Sequence, residues 1–264
     1  MASKPTVPGL ARGLRVIETL AKDPYELSLS ELAESLDIPQ ASLWRILKTL
    51  RDEGYVLVDK RRKTYRLGFK FLYMGSVMLS GAHFRTPGKE LLKRLAEKTG
   101  ETAEIDTRVR TQLIIVEQVP GPNAVYSYSY PGSVMPYFHA TAPGKVYLAH
   151  ISSEKLRSVI KKIGLPKLTP YTIQDIDQLE KEIKKVQIDG YAVDIEEMRE
   201  GVGRVAAPIY DEYGKVIACV AIVCPPFRLN DQNKKYEYGL EAKKFAIAMS
   251  KEFYSDLQAA NSGH

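Results

Sequence analysis

Between Ser28 and Leu67 the chain reads SLSELAESLDIPQASLWRILKTLRDEGYVLVDKRRKTYRL, and no other stretch narrows the possible folds so far. Ser28 and Ser30 precede Leu32, Ala33 and Leu36, so a serine hydroxyl can cap a short helix whose first backbone N–H groups lack partners. Asp37, Ile38 and Pro39 close that helix. From Gln40 to Asp52, the residues Leu43, Ile46, Leu47 and Leu50 recur at helical spacing, which predicts a second helix with one apolar face. Gly54 stops it, because glycine tolerates the positive φ of a helix end. Two short alternating runs, 55–59 and 64–67, flank Lys60-Arg61-Arg62-Lys63 and predict a hairpin with a cationic tip. Helix, turn, helix and basic hairpin in this order spell a winged helix-turn-helix.

Such a second helix, polar at its N-terminal end, fits the major groove of DNA, whose base edges carry a donor and acceptor code. Gln40, Ser42 and Arg45 are the candidates for base edges, with Ala41 on the same first turn. Lys48 and the tip cations Arg61, Arg62 and Lys63 suit phosphates, where charge fixes register without reading sequence. Trp44, the single tryptophan, has two readings: a contact to the DNA backbone, or packing inside the winged helix, the latter being favoured. A helix over LARGLRVIETLAKD precedes the motif, with Leu10, Leu14, Ile17 and Leu20 on one face and Arg12 and Arg15 available to phosphate.

A chain of 264 residues is long for one domain and comfortable for two. No apolar run approaches the roughly 20 residues of a membrane-spanning helix. The first ten residues, MASKPTVPGL, show no apolar signal core, and the expected location is cytoplasmic. Residues 1–80 hold 13 Lys or Arg against 9 Asp or Glu, so most of the net charge of +6 sits in the first third. That excess suits a phosphate backbone. Cys219 and Cys224 match neither a disulfide framework nor a zinc spacing.

Residues 1–9 read as a mobile tail, 10–68 as the winged helix-turn-helix domain, 69–83 as a linker helix and 84–264 as a domain for effector binding and oligomerisation. In the linker, Phe69, Leu72, Tyr73, Val77 and Leu79 are too apolar for a solvated connection. They predict a stripe that is buried or faces a second copy, with Gly81 as a hinge. Further on, a helix from Pro87 to Thr99 precedes strands at 101–109 and 112–119, and Tyr126, Tyr128 and Tyr130 share one face at period two. Helices are expected from Pro143, over 153–162 and over 175–188. Strands follow at 191–195, 204–210 and 215–223, and a long helix from about 230 to 257 closes the chain. The fold class expected is α+β on an antiparallel sheet.

Four segments resemble the IclR family of bacterial and archaeal transcriptional regulators: LARGLRVIETLA, the winged helix-turn-helix, HATAPGKVYLA, and GYAVDIEEMREGVGRVAAPIYDEYGKVIACVAIVCPP. The resemblance spans nearly the whole chain. It implies a dimer or tetramer that binds double-stranded operator DNA through its N-terminal domains and a small effector in a GAF-like C-terminal domain. Carried over residue by residue, the effector pocket involves Thr141 and Ala142 before the GK helix, where Pro143 has no N–H to give an anion. Asp194 matches a pocket acid, Arg204 stands where many relatives have cysteine, and Ala221 and Val223 stand where some have serine. The pocket thereby trades small polar groups for a cation. Arg204 has two readings, one pairing with an anionic effector through its guanidinium fork, the other an internal ion pair with Asp194 or Glu196. In the first, Tyr126, Tyr128, Met135, Ala221 and Val223 form an apolar wall, and an aromatic or bulky organic acid fits better than glyoxylate or pyruvate.

Other motifs carry less. Residues 201–206 satisfy a loose dinucleotide fingerprint, but a strand follows where a helix N-terminus is needed. His139 and His150 lack a partner at metal spacing, and Ser133 lacks the elbow of a hydrolase nucleophile. No catalytic residue, cofactor or metal is therefore expected. The alternatives are an enzyme using Asp194, Glu196 and Glu197 as acid and base, with an accessory DNA-binding domain, and an architectural DNA binder without effector.

Overall fold

The structure is a computed structural model that describes residues 6–22, 26–81, 86–124 and 129–261. The chain divides into two compact units, residues 1–82 and 83–264. In the first lie α1 (Pro8–Lys22), β1 (Leu27–Ser28), α2 (Leu29–Leu36), α3 (Gln40–Asp52), β2 (Val56–Asp59), β3 (Thr64–Leu67) and α4 (Lys70–Gly81).

Local chemistry explains these boundaries. Ser28 Oγ accepts the N–H of Glu31 at 3.3 Å while the Glu31 carboxylate accepts the N–H of Ser28 at 2.7 Å. This reciprocal cap starts α2, and Asp37, at φ 52°, ends it in the left-handed region. The small antiparallel sheet has the order β1-β3-β2. Where the chain leaves β3 it crosses the end of α3 so closely that a Cβ at Gly68 would stand 2.2 Å from the Gly54 carbonyl oxygen. Only glycine fits there.

The core of this unit joins Val16 and Leu20 of α1, Leu32 and Leu36 of α2, Leu43 and Leu47 of α3, and Val56 of β2. Two expectations change. First, α1 begins at Pro8, inside the segment expected as a tail. Second, of the expected face only Leu20 is fully buried: Leu10 and Leu14 are 62% and 51% exposed, and Val16 joins Leu20 in the core. Apolar residues occupy more than one face of α1, and packing on α2 and α3 selects the one it buries. On and just before α4, Phe69, Leu72, Tyr73 and Val77 are exposed within this single chain, whereas the side chain of Leu79 lies outside the described residues.

The second unit contains α5 (Thr86–Thr99), β4 (Thr102–Val109), β5 (Gln112–Val119), β6 (Val134–Met135), a 3-10 turn at Phe138–Ala140, α6 (Ala142–Ala149), α7 (Ser153–Ile163), α8 (Ile176–Asp189), β7 (Ala192–Ile195), β8 (Gly203–Tyr210), β9 (Val216–Cys224), α9 (Pro226–Asn230) and α10 (Gln232–Asn261). The expected final helix is α10, and the short α9 that precedes it was not expected; the two are separated at Asp231, whose carboxylate accepts the N–H of Asn233 at 2.9 Å. The strands form one sheet in the order β6-β5-β4-β9-β8-β7, and every pair is antiparallel.

Because side chains alternate along a strand, this sheet buries two different faces. Ala103, Ile105, Val205, Ala207, Val220 and Ile222 pack with α5 and α10. Leu113, Ile115, Ala206, Cys219 and Ala221 pack with α6, α7 and α8. Helix α6 lies so near the preceding turn that a Cβ at Gly144 would meet the Phe138 carbonyl oxygen at 2.3 Å. On this second face three acidic groups, Glu104, Asp106 and Asp194, and one cation, Arg204, are buried among apolar side chains.

Candidate DNA interface and effector cavity

On α3, Leu43 and Leu47 turn inward and leave Gln40, Ala41, Trp44, Arg45 and Lys48 exposed, with Ser42 half-buried. Residues four apart share a helix face, so Gln40, Trp44 and Lys48 form one stripe and Ala41 and Arg45 the next. Gln40 Nε2 donates to Ser30 Oγ at 3.3 Å, joining the starts of α2 and α3. Trp44 is 51% exposed, with the Lys48 ammonium 5.6 Å from its ring centroid. The favoured reading of Trp44 as an interior residue is therefore corrected: its position on the helix points it away from the face that Leu43 and Leu47 bury.

Strands β2 and β3 form the expected wing, and residues 60–63 at its tip are all exposed. Asp59 Oδ1 accepts the backbone N–H groups of Arg61 at 2.8 Å and Arg62 at 3.0 Å. These bonds, helped by the nearby guanidinium groups, hold its carboxyl below the usual range. Of the α1 arginines, Arg15 is committed elsewhere, donating to the Leu36 carbonyl at 2.8 Å.

In the second unit a cavity of about 630 Å³ opens beside the sheet. Of the residues expected to line an effector pocket, Met135, Arg204 and Val223 do so. Thr102, Ile115 and Met198, which the sequence does not single out, join them, as does Ser133, weighed there only as a nucleophile. Ile115 and Thr102 could have been found by counting alternate positions along β5 and β4; Met198 sits in a turn with no periodic signal. Thr141, Ala142, Asp194 and Ala221 are fully buried and do not line the cavity. Tyr126 and Tyr128 lie outside the described residues.

The reason is visible at the start of α6. Thr141 Oγ1 accepts the Gly144 N–H, and the Ala142 N–H donates to Asp194 Oδ2 at 3.2 Å. The helix N-terminus, a natural anion site, is thus filled by the protein's own carboxylate. Burial raises the Asp194 pKa, against the pull of Arg204, Lys145 and the Ala142 N–H.

Arg204 is 5% exposed. Its Nε donates to Glu104 Oε1 at 3.3 Å, and its Nη1 stands 3.7 Å from Asp194 Oδ2, beyond hydrogen-bond reach. The sheet register explains the pairing: Arg204 opposes Val223 on β9, and Glu104 opposes Ala221 from the other side. The small alanine leaves room for the guanidinium stem to cross. Glu196, the other expected partner, is turned away and accepts the Gly201 N–H at 2.8 Å. Gln118 Nε2 completes the contacts by donating to Glu104 Oε2 at 3.1 Å. Burial pushes the Glu104 and Asp106 carboxyls up, Arg204 opposing it. For Arg204, burial works against the charge, but Glu104, Asp194 and Asp106 outweigh it and raise its pKa.

The remaining acids do not converge on the cavity as an acid and base pair would. Glu197 pairs with the buried Lys145, which also donates to the Val193 carbonyl at 2.9 Å. His139 is buried with Nε2 3.2 Å from the Pro166 carbonyl, and burial lowers its pKa. His150 Nε2 lies 2.8 Å from the Tyr210 hydroxyl. Among the described residues no group of three or more His, Cys, Asp or Glu can hold a metal, and no helix is long and apolar enough to cross a membrane. The glycines at 201 and 203 lead into strand β8, so the nucleotide fingerprint lacks its helix.

Comparison with known proteins agrees with this geometry. The IclR helix-turn-helix domain matches residues 9–60, and the C-terminal domain of bacterial IclR transcriptional regulators matches residues 77–251. The HTH-type transcriptional repressor AllR of Klebsiella pneumoniae is 30% identical over 220 residues, covering 83% of this chain and 80% of that protein. The HTH-type transcriptional regulator XynR of Escherichia coli (strain K12) is 27% identical over 227 residues, covering 86% and 90%. Among solved structures, an IclR transcriptional regulator from Alicyclobacillus acidocaldarius superposes with a TM-score of 0.80 at 25% identity, over 94% of this chain and all of that one. An IclR homologue from Microbacterium hydrocarbonoxydans, complexed with 4-hydroxybenzoate, shares the fold with a TM-score of 0.73 at 22% identity, over 93% and 98%. These relatives are regulators rather than enzymes, and with both domains matched the chain belongs to the IclR family of DNA-binding transcriptional regulators.

Proposed function

We propose that this regulator binds operator DNA as a homo-oligomer, and that a small organic acid, aromatic or similarly bulky, controls it from the cavity of the second unit. On the DNA side Gln40, Ala41, Ser42 and Arg45 face base edges, while Lys48, Arg61, Arg62 and Lys63 meet phosphates. Association of two chains would cover the exposed apolar residues on α1 and around α4, a feature that marks interaction surfaces. Two recognition helices about 34 Å apart can then read half-sites one helical turn apart.

The observation that carries the effector reading is Arg204. A buried guanidinium on the cavity wall keeps Nη1 without a hydrogen-bond partner while Glu104 fixes its Nε. A carboxylate arriving there would supply the missing acceptor, with Met135, Ile115 and Val223 against its apolar body. The cavity volume of about 630 Å³ lies within the range of small-molecule sites, about 300–1,000 Å³, and exceeds what glyoxylate or pyruvate would fill. Thr141, Ala142 and Asp194 act from behind, by holding α6.

Thermal unfolding in the presence of an acid panel tests this, beginning with 4-hydroxybenzoate, the ligand of the structural neighbour, and including glyoxylate and pyruvate. A ligand at 100 times its Kd stabilises the folded state by about 2.7 kcal/mol. The expected result is stabilisation by a bulky acid that is lost in Arg204→Lys, which keeps the charge but not the fork. Undiminished affinity in that variant would end the role of Arg204, and no response to any acid would end the effector reading.

A further inference from the structure

Trp44 leaves a contradiction inside the first unit. The one aromatic side chain of α3 stands half in water, beside an apolar core that it does not join. Its neighbours one turn away on the same stripe, Gln40 and Lys48, are polar and exposed, and among the described residues the only ring interaction of Trp44 is with the Lys48 ammonium. An indole offers one donor, Nε1–H, and is otherwise apolar. Exposing it forgoes the burial that such a side chain provides elsewhere, so its free face calls for an apolar partner outside this chain.

Its position selects that partner. Trp44 is the fifth residue of α3, within the N-terminal half of a recognition helix that meets base edges. The one apolar group displayed on those edges in the major groove is the 5-methyl of thymine. A phosphate contact fits less well, because Lys48 already brings a charge to the same stripe and a phosphate would leave the indole face uncovered.

We propose that Trp44 is a specificity-determining residue whose indole packs on the 5-methyl group of one thymine in each half-site, with Lys48 directed to the neighbouring phosphate. This rests on the reading of α3 as the recognition helix.

The test starts from random-sequence duplexes enriched by the full-length protein. In the selected site each thymine is replaced singly by deoxyuridine, which deletes only the methyl group. Binding is measured for the wild type, Trp44→Phe and Trp44→Ala. One position per half-site should weaken wild-type binding roughly fourfold, the factor expected for burying one methyl-sized group. The same replacement should leave Trp44→Ala unchanged and weaken Trp44→Phe by less. Trp44 is overturned as a reader if no thymine is sensitive, or if the sensitive one is equally sensitive in Trp44→Ala. Failure to enrich any sequence would instead remove α3 as a recognition helix, and this proposal with it.

Discussion

Replacing Arg204 by Met should destabilise the second unit in a way that depends on pH. Methionine has a similar length and can fill the space, so the main loss is the charge. Arg204 is 5% exposed, and Glu104 and Asp194 are both fully buried against it. Removing one partner of such a buried set costs about 3–5 kcal/mol, because the remaining carboxylates lose their counter-charge. They answer by holding protons. Burial already raises the pKa of Glu104, Asp106 and Asp194 while Arg204 opposes it, so its removal raises them further. The folded variant then keeps protons that the unfolded chain has released, and its stability falls as pH rises from the ordinary carboxylate range to the raised folded values. The loss is about 1.4 kcal/mol per pH unit for each proton involved. Urea unfolding at pH 5 and pH 8, with the midpoints compared at equal slope, should give the full penalty at pH 8 and a distinctly smaller one at pH 5. Adding Glu104→Gln should recover part of the loss at pH 8. Equal penalties at both pH values, or a variant as stable as the wild type at pH 8, would refute the counter-charge role.

Ser28→Ala removes one half of the reciprocal cap on α2 and should lower the stability of the first unit by about 1 kcal/mol in thermal unfolding. Neutralising Arg61 and Arg62 together should weaken binding to specific and random DNA alike. It should also flatten the dependence of log K on log salt by about 2, near 0.9 for each lost phosphate contact. Glu197, its carboxyl pushed up to about 7 by burial despite Lys145, should contribute stability that is complete below about pH 4.5 and lost as pH rises through 7, roughly 3 kcal/mol in all. Glu197→Gln should remove that slope, read as the difference between the two urea stability profiles.

The parts of the fold that local chemistry specifies could be read directly. Ser28, Pro39 and Gly54 bracket α2 and α3, and Asp175 and Gly190 bracket α8, because caps and turns depend on residues a few positions apart. The wing follows from two alternating runs around a four-cation tip. What escaped the sequence depends on distant segments. Leu10 and Leu14 look as apolar as Val16 and Leu20, and only packing on α2 and α3 decides which pair is buried. In β4, Glu104 and Asp106 alternate with Ala103 and Ile105 as though facing solvent, yet α6 covers that face as well. The tie between Glu104 and Arg204 joins positions 100 apart in the chain, and the Ala142 N–H meets Asp194 from 52 residues away. Neither leaves a trace in spacing, and the family resemblance that points to Thr141, Ala142 and Asp194 as pocket residues does not reveal that they stand behind the cavity wall.

The wing tip has a consequence for association. Its bend is fixed from within, by one Asp59 oxygen taking two successive amides and by Lys63 held at φ 55°. Four cations are therefore carried on a loop whose backbone already has its final shape when a duplex arrives. The entropy of ordering that backbone is lost during folding, so of the loop's own ordering cost binding bears the settling of the side chains.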